Sequence, residues 1–128
     1  MKKIVITGGA GFIGSHIVDH FADAYPDAQI TVLDKMTYAA DIQNILHHIE
    51  SKRIKLCVHD VRNLDKCLET LDGADILIHA AAESHVDNSF GNSLEFSKTN
   101  VLGTHALMEA ALKAEVPRIL HISTDEVY

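Results

Sequence analysis

The chain has 128 residues, of which 47% are hydrophobic and 23% are charged, and its formal net charge is −7. These proportions are typical of a single globular domain and exclude an intrinsically disordered chain. The sequence has no basic stripe that would offset the acidity locally, which argues against a nucleic-acid partner or an anionic membrane surface.

The chain ends and the cysteines narrow the class of protein further. The longest apolar run is far shorter than the roughly 20 residues of a membrane helix, and the stretch after Met1 is too short for a signal peptide. Cys57 and Cys67 are the two cysteines, too few for a disulfide scaffold. The sequence leaves a bridge between them open, but we expect two reduced thiols in a cytoplasmic protein.

Five short apolar runs predict β-strands. Each is rich in Ile, Val and Leu without polar alternation, which is typical of strands buried on both faces of a parallel sheet. The predicted strands are Lys3–Thr7, Ile30–Asp34, Ile54–His59, Asp75–Ala80 and Arg118–Ser123.

Helical stripes separate these strands. The first two stripes consist of Ile13, Ile17, Val18 and Phe21, and of Leu64, Leu68 and Leu71. After the second strand we expect a loop to about Ala40 and then a short helix through Ile42, Ile45 and Ile49. A longer helix is predicted from Ser93 to Ala114, before Pro117, with heptad-like spacing of Val101, His105, Met108 and Leu112.

The alternation of strands and helices predicts an α/β fold with helices on both faces of one doubly wound parallel sheet. Right-handed crossovers give a Rossmann half with the strand order 3-2-1-4-5. The chain stops at Tyr128, soon after the last strand. We therefore expect the N-terminal part of a larger protein, truncated at its C-terminus, with an unpaired and self-associating outer edge on that strand.

A glycine-rich turn joins the first strand to the first helix. Gly9, Gly11 and Gly14 fit the pattern G-x-G-x-x-G, and Gly8, Gly11 and Gly14 fit G-x-x-G-x-x-G. In dinucleotide-binding turns, glycines allow a sharp turn, the approach of backbone N–H groups to a pyrophosphate, and close packing of helix on strand. A tight strand-to-helix turn with no ligand is the alternative.

Two aspartates end neighbouring predicted strands. Asp34 follows Gly14 by 20 residues, the spacing of a carboxylate that binds the adenosine ribose hydroxyls. Such a carboxylate repels a 2′-phosphate, so we predict NAD rather than NADP; a solvated strand-end carboxylate is the alternative. Asp60 is predicted either to reach the adenine edge or to cap the following helix.

Five runs of the sequence resemble extended short-chain dehydrogenases/reductases and, within them, the dTDP-glucose 4,6-dehydratase family. The runs are Gly8–Ser15, Leu33–Ala39, His79–Asp87, Thr99–Thr104 and Ser123–Tyr128. The last run is the most discriminating, because related decarboxylases and GDP-mannose dehydratases usually have Ser at the position of Asp125. Epimerases lack the acid–base pair altogether.

The resemblance implies catalytic roles for three adjacent residues. Glu126 would be the base that removes the C5 proton, and Asp125 the acid that protonates the departing C6 hydroxyl. Thr124 would hydrogen-bond the C4 oxygen of the sugar. Adjacent acids near an apolar cofactor face have pKa values that are pushed apart, which suits this division. A polar loop at the end of the sheet is the alternative for this segment.

The same resemblance implies the cofactor and substrate contacts. Ser84 would meet the sugar nucleotide, and Asn100 would organise water or backbone. Asn88 stands where the family commonly has Arg, which puts a charge contact from that loop in doubt. The residues implied to bind NAD are Gly8, Gly11, Phe12, Ile13, Gly14, Asp34, Lys35, Thr37, Asp60, Ala80, Ala81, Ala82 and Thr99.

The nine histidines are not interpreted as metal ligands. His47 and His48 are adjacent and would diverge on a helix. His79 and His121 lie in predicted buried strands and are expected to be core or hydrogen-bonded residues. His85 falls in the loop implied to face the substrate. No metal is predicted.

Three functions remain open at the level of sequence. The first is the NAD-binding part of a dTDP-glucose 4,6-dehydratase, a lyase that is homodimeric when complete. The family's Tyr-x-x-x-Lys pair and sugar-nucleotide domain are not found in these 128 residues, since no Lys follows Tyr128, so the chain alone is predicted to be inactive. The second is another NAD-dependent nucleotide-sugar enzyme, an epimerase or decarboxylase. The third is a dinucleotide-binding module without catalysis.

Overall fold

The computed structural model describes residues 2–9, 12–34, 42–59, 61, 63–80 and 104–122, with only the backbone at residues 12 and 42. The strands are β1 (Lys3–Thr7), β2 (Gln29–Asp34), β3 (Ile54–Val58), β4 (Ile76–His79) and β5 (Arg118–His121). The helices are α1 (Phe12–Ala24), a 3₁₀ turn (Ile42–Asn44), α2 (Leu46–Glu50), α3 (Leu64–Leu71) and α4 (residues 104–113).

The described strands form one parallel sheet in the order β3-β2-β1-β4-β5. This confirms the predicted Rossmann topology, and each strand starts and ends within two residues of its prediction. β1 lies at the centre, where Ile4 pairs with Ile30 on one side and with Ile76 on the other. The carboxyl ends of β1, β2 and β4 therefore meet at one edge of the sheet.

Two hydrophobic clusters cover the two faces of the sheet. Because side chains alternate along a strand, Ile4 and Ile6 of β1 join one cluster while Val5 joins the other. The first cluster contains Val18 and Ala22 of α1, together with Ile45 just before α2. The second contains residues from α3 and α4, namely Cys67, Leu71, Leu107, Ala110 and Ala111. Helices thus cover both faces, as predicted.

The prediction that all five strands are buried on both faces is wrong for β5. Every residue of β5 is exposed, including Ile119, Leu120 and His121. Among the described elements β5 has β4 as its sole strand neighbour, so its apolar side chains lie at the margin of both clusters. β3, the opposite edge strand, is also partly open, and its Val58 is exposed.

Two helical stripes differ from their predictions. Ile13 lies in the first turn of α1 and is 61% exposed, whereas Val18 in the same predicted stripe is fully buried. In α4 the residues packed on the sheet are Leu107, Ala110 and Ala111, whereas the exposed Leu112 and His105 point away. The small alanine side chains let α4 approach the sheet closely. Val101 and the predicted start at Ser93 fall outside the described residues.

The structure corrects two local predictions, one in the segment after β2 and one in the segment after β3. The N-cap of α3 is Asn63, whose Oδ1 accepts a hydrogen bond from the Lys66 N–H at 3.2 Å, so the capping role weighed for Asp60 belongs to Asn63. Asp60 itself lies outside the described residues. His47 and His48 do not diverge: their ring centroids are 3.9 Å apart.

No helix in the described parts of the chain combines the length and the apolar character that crossing a membrane requires. Cys57 and Cys67 are both free thiols, the first half-buried and the second buried. The alternative of a bridge between them is therefore not adopted in this structure.

Candidate functional site

The glycine turn after β1 is held against β2 by a backbone hydrogen bond. The Gly8 N–H donates to the carbonyl oxygen of Leu33 at 2.8 Å. Gly8 has a φ of 71°, in the left-handed region that side chains disfavour, so glycine is required to turn the chain here. The bond extends the pairing of β1 and β2 by one residue and brings the turn beside Asp34, the residue that follows Leu33.

Close packing explains the two other described glycines of the motif. A Cβ added to Gly14 in α1 would lie 1.9 Å from the Gly8 carbonyl oxygen, an impossible contact with backbone. A Cβ at Gly9 would lie 2.5 Å from Cγ1 of Val32. The first turn of α1 can therefore approach the glycine turn only because Gly14 lacks a side chain, and the turn can pack against β2 only because Gly9 lacks one. This is the geometry that the motif predicts. Gly11 falls outside the described residues.

Asp34 ends β2 at the same edge of the sheet. Its side chain is only 6% exposed, which removes the alternative of a freely solvated strand-end carboxylate. The neighbouring backbone is fixed on both sides, since the Asp34 carbonyl oxygen accepts a hydrogen bond from the His59 N–H at 3.2 Å. A buried carboxylate next to the glycine turn is in position to select between ligands by charge.

The first turn of α1 has the features of an anion-binding helix N-terminus. It contains no acidic side chain, and its backbone N–H groups begin directly after the glycine turn. Such N–H groups lack partners within the helix and carry the positive end of the helix dipole. The exposed Ile13 in this turn provides an apolar surface beside them.

A buried histidine links the ends of β1, β4 and α4. His79 Nδ1 lies 2.7 Å from Thr7 Oγ1, and His79 Nε2 lies 3.1 Å from Thr104 Oγ1. Burial, together with the smaller effect of the neighbouring His121, lowers the pKa of His79 to about 4. The ring is therefore neutral at pH 7, so one threonine hydroxyl donates to it and the other accepts from it.

The same threonine fixes the backbone after β4. The Ala80 N–H donates to the Thr7 carbonyl oxygen at 3.2 Å and to Thr7 Oγ1 at 3.1 Å. Ala80 is thereby held next to the glycine turn, where the resemblance placed a cofactor contact. The sequence predicted His79 as a core or hydrogen-bonded residue, which is confirmed, but His121 on β5 is exposed rather than buried. Their rings are stacked, with centroids 5.0 Å apart.

The remaining predicted site residues lie outside the described part of the chain or have only their backbone described. Phe12 opens α1, but its side chain is not described. The residues outside are Gly11, Lys35, Thr37, Asp60, Ala81, Ala82, Ser84, His85, Asn88, Thr99, Asn100, Thr124, Asp125, Glu126 and Tyr128. The structure thus brings together Gly8, Gly14, Asp34 and Ala80.

Sequence reasoning missed Thr7 and Thr104 as parts of this arrangement. From sequence alone, a threonine at the end of an apolar strand is interpreted as an ordinary β-branched strand residue. The available signal was that Thr7 ends its predicted strand and His79 is the penultimate residue of its own. These two strands neighbour each other in the order 3-2-1-4-5, which places the residues side by side. Their register pairing is observed.

Comparison with known proteins gives one family and several relatives. The family described as GDP-mannose 4,6 dehydratase matches residues 5–128. A trifunctional UDP-glucose 4,6-dehydratase/3,5-epimerase/reductase of Arabidopsis thaliana is 45% identical over 99% of this chain and 19% of its own length. The dTDP-D-glucose 4,6-dehydratase of Mus musculus is 40% identical over 99% of this chain and 36% of its own length.

A solved structure shares the fold closely. The dTDP-glucose 4,6-dehydratase of Streptomyces venezuelae, crystallised with NAD and TYD bound, superposes with a TM-score of 0.91 at 43% identity. The superposition covers 98% of this chain and 40% of that protein. The chain therefore spans between about one fifth and two fifths of the length of the relatives that it matches.

Proposed function

Since the chain belongs to the GDP-mannose 4,6-dehydratase family, we propose that its 128 residues form the NAD-binding Rossmann domain of a nucleotide-sugar 4,6-dehydratase. One observation carries the proposal. The hydrogen bond from Gly8 N–H to the Leu33 carbonyl sets the glycine turn beside the buried Asp34. A pyrophosphate and an adenosine ribose need these two features at one edge of a parallel sheet.

The described residues fit NAD. The contact that a Cβ at Gly14 would make with Gly8 shows that α1 begins directly against the glycine turn, and the first N–H groups of this helix would bind phosphate. Asp34 would hydrogen-bond the ribose hydroxyls and repel a 2′-phosphate. Ala80, fixed by Thr7, and the exposed Ile13 would flank the cofactor. By resemblance Gly11, Phe12, Lys35, Thr37, Asp60, Ala81, Ala82 and Thr99 would complete the site.

The proposed reaction is water elimination from a nucleoside diphosphate glucose to give the 4-keto-6-deoxy sugar. The chemistry that NAD supplies is oxidation at C4 and hydride return at C6. Glu126 would remove the C5 proton and Asp125 would protonate the departing C6 hydroxyl. Thr124 would hold the C4 oxygen, and Ser84 would contact the sugar nucleotide. These four assignments rest on the sequence motif.

The proposed substrate is dTDP-glucose, with UDP-glucose as the alternative. Asp125 favours a dTDP-glucose dehydratase over a GDP-mannose dehydratase within the family. The names of the murine and Streptomyces relatives agree with dTDP-glucose, whereas the Arabidopsis relative is named for UDP-glucose at 45% identity. We further propose a cytoplasmic protein that acts as a homodimer. The free state of both thiols supports a reducing compartment.

Product analysis tests this function. The natural protein that carries this sequence is incubated with NAD and either dTDP-glucose or UDP-glucose, and the product is identified by mass and by carbonyl absorbance. We expect loss of 18 mass units, the mass of one water, and a 4-keto product with dTDP-glucose. A product of unchanged mass would indicate an epimerase, and no turnover of either substrate would indicate a module without catalysis or an enzyme that acts on a different nucleotide sugar. Each of these contradicts the proposal.

The base assignment is tested by Glu126→Gln. The variant is expected to lose elimination by at least about 100-fold, since general-base catalysis contributes about 10²–10⁴-fold, while NAD binding stays unchanged. Glu109→Gln on the exposed side of α4 is the matched control and is expected to keep full activity. Elimination by Glu126→Gln at the rate of the control would show that the base is another residue.

A further inference from the structure

Two helices on one face of the sheet bring three metal-binding side chains together. Asp19 belongs to α1, and His47 and His48 belong to α2. The Asp19 Oδ1 atom lies 2.7 Å from His48 Nε2 and 3.6 Å from His47 Nε2. One ligand atom from each of the three side chains lies within 4.8 Å of the others. We propose that this cluster binds a divalent transition-metal ion of the zinc type.

The donor set and spacing suit this class of ion. Two imidazole nitrogens and one carboxylate oxygen are ligands that Zn²⁺ accepts, whereas Mg²⁺ and Ca²⁺ prefer sites built from oxygen alone. Tetrahedral ligands at about 2.0–2.2 Å from zinc lie about 3.4 Å from one another. The two observed Asp19–histidine distances of 2.7 and 3.6 Å bracket that value and all three ligand atoms lie within 4.8 Å of one another, so side-chain adjustment would admit the ion. Three protein ligands leave one position for water.

The scaffold under the three side chains is fixed by packing. Val18 and Ala22 flank Asp19 on α1, while Ile45 and Ile49 flank the two histidines, and all four join the same hydrophobic cluster. His48 is itself largely buried, with 11% of its side chain exposed, whereas His47 remains 65% exposed. The packing that holds α2 against α1 therefore also sets the ligand spacing.

Backbone hydrogen bonds fix the histidines from the other side. Two N–H groups in the turn after α2 donate to the carbonyl oxygens of the histidines. The Ser51 N–H donates to His47 at 3.2 Å, and the Arg53 N–H donates to His48 at 2.8 Å. The Ser51 hydroxyl also donates to the His48 carbonyl at 3.2 Å. With the backbone held, the five-residue helix presents both rings on the side of α1.

The cluster is separate from the proposed NAD site. Asp19 lies seven residues beyond the first residue of α1, about 10 Å further along its axis. Metal-free, His48 Nε2 and Asp19 Oδ1 are at hydrogen-bond distance. On metal binding the neutral ring carries its proton on Nδ1, and Nε2 and the carboxylate both bind the ion. The ion would then join α2 to α1, and we expect it to raise the stability of the folded chain.

Calorimetry with zinc chloride tests the proposal on the natural protein after chelator treatment and removal of any tag. We expect one ion per chain at this cluster and an increased melting temperature in its presence. His47→Gln and Asp19→Asn should each weaken that binding at least tenfold. His105→Gln, an exposed histidine of α4 on the opposite face of the sheet, is the matched control and should not change it.

A second measurement keeps the test independent of variant folding. Co²⁺ bound to the wild-type protein is expected to show visible absorption of a four-coordinate site, and His47→Gln should lose it, because exposed His47 is not needed for packing. Absence of zinc binding in the wild-type protein would overturn the proposal. So would binding to His47→Gln and Asp19→Asn with the affinity of the His105→Gln control.

Discussion

The centre of the sheet and its β5 edge have similar sequences but opposite environments. β4 and β5 are hydrogen-bonded partners in which Leu77 pairs with Ile119 and His79 with His121. Leu77 is fully buried, whereas Ile119 is 41% exposed. His79 is enclosed by two threonines, whereas His121 is exposed. Apolar composition therefore identifies a strand, but the number of neighbouring elements decides its burial.

The difference bears on function because the proposed NAD site is built on the central strands. β1 and β4 carry the glycine turn and the fixed Ala80, and both helical layers cover them. A binding site that must hold backbone N–H groups in place gains from this rigidity. β5 carries none of the described residues of the proposed NAD site. Substitutions in β5 should therefore be tolerated much better than substitutions in β1 and β4.

The largest expected effect comes from adding a side chain where the glycine turn packs against α1. Gly14→Ala places a methyl group where the Gly8 carbonyl oxygen lies, and only backbone movement can relieve the contact. We expect a loss of unfolding free energy on the order of 4 kcal/mol and loss of NAD binding. Denaturant titration and calorimetry measure the two effects.

Gly73→Ala is the matched control for that variant. Gly73 has a positive φ, unlike Gly14, but an added Cβ meets nothing within 4 Å. The expected cost is only about 1 kcal/mol of backbone strain, with NAD binding unchanged. Equal stability losses in the two variants would contradict the close packing assigned to Gly14.

Truncation of paired residues compares the centre and edge directly. Leu77→Ala should cost about 3 kcal/mol of unfolding free energy, because it leaves a cavity in the buried cluster. Ile119→Ala on the neighbouring strand should cost less than about 1 kcal/mol, since its side chain is already half in solvent. Urea unfolding of both variants gives the values, and equal losses would show that β5 is covered in solution.

The buried His79 predicts a pH dependence of the folding stability. The pKa of His79 is lowered to about 4 from the ordinary 6.5, so between these values the unfolded chain binds a proton that the folded chain does not. Folding stability linked to His79 should therefore fall as the pH decreases, by about 2 kcal/mol between pH 7 and pH 5.

Variants isolate this contribution from that of other titrating groups. His79→Gln removes it, so the variant's stability should fall less steeply over this pH range than that of the wild type. His121→Gln, at the exposed partner position, should keep most of the wild-type dependence of folding stability on pH. Denaturant unfolding at both pH values provides the comparison, and parallel wild-type and His79→Gln profiles would contradict the lowered pKa.

Much of the fold was predictable because its signals are local. Apolar runs bounded by glycine or aspartate gave the strands and their order, and the G-x-G-x-x-G spacing gave the turn beside Asp34. The exposure of β5 and the roles of Thr7 and Thr104 were not predictable, because they depend on which elements lie next to each other in space. The convergence of His47 and His48 depends on Asp19 of the neighbouring helix α1, which both rings approach, and helical spacing alone does not show that neighbour.

The central claim is that the glycine turn and Asp34 form an NAD site, and calorimetric titration with NAD and NADP tests it most directly. The natural protein should bind NAD at least about tenfold more tightly than NADP, because the buried Asp34 carboxylate would repel a 2′-phosphate bound at this edge of the sheet. Asp34→Ala should narrow that ratio, whereas the exposed Asp23→Ala should leave it unchanged. Equal affinities for the two cofactors in the wild-type protein, or tighter binding of NADP, would contradict the assignment.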